Sequence, residues 1–214
     1  MALLGRAALA MWWDMAPTMR TEFEHWHSVE HFPERLALPG FLRASRWSDL
    51  GGGPGFFILY ELAELASLAS AEYLARLDSP TPWSARLMPH HANMVRTQNE
   101  VQASRGAATA RHMLTLRWQQ PERDADDFAQ RSAGVQGVTG THVLRHRPPD
   151  LLQTQEQRLR GGADGVADTI VLVGGYDADV LRSLSTQAPP GAVGGLYSLS
   201  LARVRGDVAL DAPQ

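Results

Sequence analysis

Phe23-Glu24-His25-Trp26-His27-Ser28-Val29-Glu30-His31-Phe32-Pro33-Glu34-Arg35-Leu36-Ala37-Leu38-Pro39-Gly40-Phe41-Leu42 reads as a histidine-rich helix followed by a turn and the start of a strand. On an α-helix, Phe23, His27 and His31 fall on one stripe at i, i+4 spacing, and Glu30 neighbours His27 at i+3. Thr21 and Glu24 have capping-box spacing, which predicts a helix beginning at Glu22. Pro33, or the turn before Pro39-Gly40, should end it.

The neighbouring segments complete a pattern around this helix. Upstream, Leu3 to Met15 alternates as a strand, with Ala16-Pro17-Thr18 as a loop. Downstream, Phe41 to Ser48 and Phe56 to Leu62 read as two strands joined by the turn Gly51 to Gly55. Glu64 to Leu77 has helical periodicity and breaks at Asp78 to Pro82, and Met94 to Gln102 supplies a fourth strand. The order is βαββαβ. It recurs more faintly as strand Arg111–Trp118, helix Asp124–Val135, strands Thr141–Arg147 and Thr169–Gly174, helix Asp177–Thr186 and strand Leu196–Arg205. Ala103 to Thr109 is a small-residue linker, and Pro148 to Ala167 reads as a polar, mobile loop.

These readings predict an α+β protein of two fused ferredoxin-like repeats, over residues 1–104 and 110–206. One such unit buries only one face of its sheet under its helices. Two copies in one chain cover the other faces by setting sheet against sheet, an internal pseudo-dimer of dimeric α/β-barrel type. Exposed outer strand edges could still support a further homodimer.

Composition removes several function classes. The chain has 214 residues, no cysteine and a net charge of −3, and all 20 of its basic residues are arginine. Thiolate chemistry, Fe–S clusters and Schiff-base catalysis by lysine are therefore excluded. The charge offers nucleic acid no basic field. The apolar start, Met1 to Met15, has Arg6 inside the run and Trp12-Trp13-Asp14 where a small-residue cleavage site would stand, so it is expected to be a strand and the protein cytoplasmic. No segment is long enough to span a bilayer as a helix.

Trp26-His27, Glu30-His31, Glu34-Arg35 and Leu38-Pro39-Gly40-Phe41 together resemble the EthD-like branch of the dimeric α/β-barrel superfamily, with Trp13-Asp14-Met15, Arg46-Trp47 and Phe57 to Leu62 in support. The likeness extends through Pro82-Trp83 and Met88-Pro89. It implies the fold, and relatives that include cofactor-independent cyclases, lactone isomerases and monooxygenases. The expected function is a cofactor-independent cyclase, isomerase or lyase that uses histidine acid/base chemistry on a small hydrophobic carbonyl-bearing or aromatic substrate. His31 would be the general acid/base, with His27 and Glu30 as partners. Trp13, Trp26, Trp47, Phe57, Tyr60 and Trp83 would wall the cavity, with His90 and His91 approaching it.

Other readings stay open at this point. The same pocket could serve a non-enzymatic binding or assembly module, with His31 holding a backbone group and Glu34-Arg35 forming a surface ion pair. His27-Ser28-Val29-Glu30-His31 also has H-x-x-E-H spacing, which in zinc hydrolases supplies two ligands and a base; Glu100 is a conceivable third ligand. Because some two-repeat relatives bind haem, His112, His142 and His146 are candidate axial ligands. No metal and no cofactor is the expectation.

Overall fold

The computed structural model describes residues 2–148 and 154–208. Strands β1 (Ala7–Met15), β2 (Phe41–Asp49), β3 (Gly55–Leu62) and β4 (His91–Gly106) come from the first half, and β5 (His112–Trp118), β6 (Val138–His146), β7 (Thr169–Gly175) and β8 (Val193–Val204) from the second. They close one barrel in the order β1-β3-β2-β8-β5-β7-β6-β4, every neighbouring pair antiparallel. Each half contributes four adjacent strands with two of its own strand-to-strand crossovers, and the seams are β2–β8 and β4–β6. Closure corrects the expectation of exposed outer edges: the edge strands of the two halves satisfy one another, and among the described residues the sheet has no open edge.

Period-two alternation divides the side chains between two faces. Ala8, Ala10, Trp12, Phe57, Leu59, Leu144, Ile170 and Leu172 point into the barrel. Leu9, Trp13, Phe56, Ile58 and Tyr60 point outward and are covered by the helices of the first half. The second half repeats this with α5 (Ala125–Ala133) and α7 (Ala178–Ser185) packed over Leu114, Leu116, Val143, Val171 and Val173.

The histidine-rich segment departs from the expected helix in an informative way. A 3₁₀ turn over Pro17–Met19 leads into α1 (Arg20–Trp26), a π-helical turn follows over His27–His31, and α2 runs over Phe32–Leu36. Thr21 and Glu24 therefore lie inside the helix and form no capping box; Met19 is the N-cap. Pro33 does not end the helix either. It has no N–H to give, and it sits in the first turn of α2, just after the π turn has changed register, with the Phe32 N–H bonded to the His27 carbonyl. Pro39-Gly40 does stop it: Gly40 has φ +82°, and a Cβ there would lie 2.0 Å from Ser67 Oγ.

Between β3 and β4, the predicted long helix is divided into a 3₁₀ turn over Leu65–Ala69 and α3 (Ala71–Asp78), whose N-cap Ser70 accepts from the Tyr73 N–H at 3.3 Å. The break at Asp78 to Pro82 is short, because Thr81 caps a further helix, α4 (Pro82–Leu87). Ala103 to Gly106, read as linker, extends β4 and pairs with β6. In the expected mobile loop, Thr154 and Gln157 form a capping box at the start of α6 (Gln155–Arg160), and Gly165 pairs with Met94 and Arg96 of β4 through bonds of 2.7 and 3.0 Å. No helix among the described residues is long and apolar enough to cross a membrane.

Candidate functional site

A cavity of about 240 Å³ lies between the outer face of the first half's strands and the α1–α2 segment, with α6 across it. Of the residues expected there, His27, His31, Trp13, Trp26, Tyr60 and His91 line it. The π turn explains why both histidines arrive together. A wider turn advances less per residue, so i and i+4 keep facing the same way while i+3 is carried further round. The His27 and His31 rings stack at 5.4 Å, and His31 lies 4.4 Å from the Trp26 ring.

Glu30 is the casualty of that geometry. Its Oε1 accepts from Trp26 Nε1 at 3.1 Å and Thr81 Oγ1 at 2.5 Å, outside the cavity lining. The carboxylate that stands beside His31 is instead that of Glu34, whose Oε2 lies 3.7 Å from His31 Nδ1. Trp47 and Phe57 are also misplaced by the sequence reading. Phe57 has the opposite parity to Tyr60 on β3 and stacks on Trp12 inside the barrel at 4.9 Å. Trp47 is turned inward by a register shift between Phe41 and Arg43, and bonds Ser45 Oγ at 3.0 Å. Trp83 packs on the outer side of α1, where its Nε1 donates to Glu22 at 2.9 Å and its ring meets His25. His90 sits half-buried in a 3₁₀ turn and does not line the cavity.

The second readings can be tested on the same geometry. With Glu30 turned away, the H-x-x-E-H spacing gathers two imidazoles and no carboxylate. Glu100 is exposed and pairs with Arg147 at 3.8 Å. Among the described residues no group of three His, Asp or Glu stands in metal-holding geometry. Of the three histidines expected as haem ligands, His142 has both ring nitrogens bonded, to Ser104 Oγ at 2.8 Å and the Ala107 carbonyl at 3.3 Å. His112 and His146 each bond through Nδ1 and lie away from the cavity.

The electrostatics are set by burial. Desolvation, reinforced by Arg46, holds the His27 pKa well below its usual value, and desolvation with Arg35 does the same for His31. His91 is lowered to about 4 by burial and the Arg160 charge. All three imidazoles are therefore neutral near pH 7. The His91 tautomer follows from its partners: Nδ1 meets the carbonyls of Leu87 at 3.1 Å and Met88 at 3.2 Å, which can only accept, so Nδ1 carries the proton and Nε2 the lone pair. Burial raises the Tyr60 hydroxyl well above its usual pKa and raises that of Glu34.

The sequence reading missed a set of arginines. Arg35, 3% exposed, pairs with Glu156 of α6 and lies 3.7 Å from Glu34. Arg160 bonds Asp164 at 2.8 Å, and Arg96 donates to the Tyr73 hydroxyl at 3.0 Å; both line the cavity. Six of the ten buried side-chain polar atoms without a hydrogen-bond partner among the described residues belong to cavity-lining residues: Trp13 Nε1, His27 Nδ1, His31 Nδ1, Arg35 Nη1, Tyr60 Oη and Arg160 Nε. Buried polar groups without partners are rare, and their concentration at one void marks a place where a polar ligand or water completes the bonding.

No protein-family model matches the sequence, and no curated protein matches it. Solved structures do. An anthrone oxidase-like protein superposes with a TM-score of 0.64 at 12% identity, over 95% of this chain and 94% of its own. A putative monooxygenase from Fusobacterium nucleatum subsp. nucleatum gives 0.56 at 9% identity, over 94% and 96%. A putative chlorite dismutase gives 0.52 at 10% identity, over 98% and 100%. The chain thus has the fold of a dimeric α/β barrel of ferredoxin-like units, with both units supplied by one polypeptide.

Proposed function

We propose that the protein is a small-molecule enzyme that moves a proton on a hydrophobic carbonyl-bearing or aromatic substrate without a bound cofactor, with His31 as the base. The observation that carries this reading is the gathering of neutral imidazoles and unpartnered donors around one cavity walled by both aromatic and charged side chains. Neutral His31 takes a proton from a carbon next to the carbonyl. The C–H electron pair becomes a C=C bond and the carbonyl π pair moves to oxygen, giving an enolate and an imidazolium. Arg35 Nη1 and the Tyr60 hydroxyl supply donors for the oxyanion, and Glu34 at 3.7 Å stabilises the imidazolium. His91 Nε2 can accept from a substrate hydroxyl. Return of the proton to a different carbon is an isomerisation; attack of the carbanion on an internal carbonyl is a cyclisation; loss of a leaving group is an elimination.

A second reading has one specific support, the oxidase-like and monooxygenase names of two similar structures. The same carbanion can give its electrons to dioxygen. The resulting peroxide takes the proton from the imidazolium, then loses water to leave a new carbonyl, so that a CH₂ group and O₂ become C=O and H₂O. Both readings share the first step, and a binding module lacks it.

The test is deuterium incorporation from D₂O, without oxygen, into the neutral ketone anthrone and the keto acid 3-benzoylpropionate. The wild-type protein should accelerate exchange over buffer, and His31→Gln should slow it by about 100-fold or more. Absence of any acceleration on both ketones, or a folded His31→Gln protein that exchanges at the wild-type rate, overturns the proposal. Admitting air then separates oxygenation from isomerisation by product mass.

A further inference from the structure

We infer that the substrate carries a carboxylate, held at the arginine end of the cavity, with its apolar or aromatic body laid toward Trp13 and the imidazoles; this deepens the proton-transfer reading of the same cavity and rests on it. Among the described residues, three guanidiniums, those of Arg35, Arg96 and Arg160, line the cavity with one carboxylate, Glu156, while Glu34 and Asp164 pair with Arg35 and Arg160 from outside the lining. What burial makes costly is the unfilled hydrogen-bonding capacity of Arg35 and Arg160, because a buried charge needs filled hydrogen bonds as well as a counter-charge.

Each guanidinium is only partly satisfied. Arg35 gives Nη2 to Glu156 and leaves Nη1 without a hydrogen bond. Arg160, with an 8% exposed side chain, gives Nη2 to Asp164 and leaves Nε without one. Arg96 donates to the neutral hydroxyl of Tyr73, and among the described residues no carboxylate lies within ion-pair distance of it. The three also converge. The Arg35 guanidinium carbon lies 5.8 Å from the centre of the Tyr73 ring, whose hydroxyl Arg96 holds, and Arg160 follows Glu156 by one turn of α6.

Apolar and aromatic side chains adjoin the arginines. Arg96 is the cross-strand neighbour of Met11 on β1, and Trp13 stands two residues further along, tilted against His91 at 5.1 Å and edge-on to His27 at 6.2 Å. A flat acid can therefore bond the arginines through its oxygens and keep its rings on Met11 and Trp13. Neutral imidazoles cannot supply the missing negative charge, and a planar carboxylate matches the guanidinium fork.

The discriminating experiment uses two probes of one shape, β-naphthoate and its uncharged amide, and reads quenching of tryptophan fluorescence at pH 7.5. The acid should bind about tenfold more tightly or better, and Arg96→Gln should bring the two within about threefold. Equal binding of acid and amide, binding of neither up to millimolar probe, or an undiminished preference in Arg96→Gln overturns the inference. The wild-type comparison does not depend on any variant folding. Equal binding with deuterium exchange intact sinks the carboxylate site alone; preference for the acid with no exchange sinks proton transfer alone.

Discussion

Lowering the pH should destabilise this protein well before ordinary acid denaturation, and the size of the effect follows from the four imidazoles whose pKa values burial lowers most. His27, His31, His91 and His142 all have folded pKa values pushed down by burial, the last two to about 4. In the unfolded chain each returns to its usual value of about 6.5. The unfolded state therefore binds protons below that pH while the native state does not, so stability present above pH 6.5 is lost as pH falls toward the folded values. At about pH 5.5 the native forms are still essentially unprotonated, which makes the loss depend on the unfolded pKa alone. From about pH 7.5 to about pH 5.5 each group costs about 1.3 kcal/mol, or about 5 kcal/mol for four. Glu34 and Glu61, whose pKa values burial raises, act in the opposite direction and offset part of it. The remainder is a large share of a typical domain's stability. Urea denaturation at the two pH values measures it, and His142→Gln, away from the cavity, should remove about a quarter of the histidine share. A change under about 1 kcal/mol, or a pH slope untouched by removing His142, would refute the reasoning.

Tyr60→Phe deletes a buried hydroxyl that has no partner. It should leave stability unchanged or raise it by about 1 kcal/mol, while slowing deuterium exchange if that hydroxyl stabilises the oxyanion; calorimetry and the exchange assay read the two effects. Glu156→Ala leaves Arg35 with Glu34 as its remaining counter-charge and should cost about 3 kcal/mol, the low end for a broken buried pair. Hydrogen exchange should show amides of residues 155–160 opening first. Phe57→Ala opens a void inside the barrel and should cost about 3–5 kcal/mol. At temperatures where the variant remains folded, binding of probes at the cavity should be unaffected, since the two lie on opposite faces of the sheet.

The repeat was legible because two periodicities, two for strands and near four for helices, alternate in the same order twice. That the two halves meet as a barrel followed from the repeat; which seams close it did not, since nothing local in β2, β4, β6 or β8 announces which distant edge each will meet. Alternation alone could have separated Phe57 from Tyr60, and Trp12 from Trp13, because neighbours of opposite parity on one strand cannot wall one pocket. Trp47 needed the register shift after Phe41, which the letters do not carry. His27 and His31 were found together by spacing that an α-helix and a π turn share; Glu30 was lost because the two differ at i+3. Glu34 carried a visible signal, three residues after His31, and the ion-pair reading of Glu34-Arg35 hid it. Arg160 and Glu156 lay in a segment read as loop, although Thr154 and Gln157 had the spacing of a capping box.

Everything functional here depends on the cavity imidazoles being uncharged where free histidine is half protonated. Side-chain ¹⁵N NMR of the histidines at about pH 6.5 reads that directly, with Gln substitutions giving the assignments. His27, His31 and His91 should each show one protonated and one bare ring nitrogen, with the proton of His91 on Nδ1. Two protonated nitrogens on these rings at that pH would mean that they are cations, and the case for His31 as a base would fail.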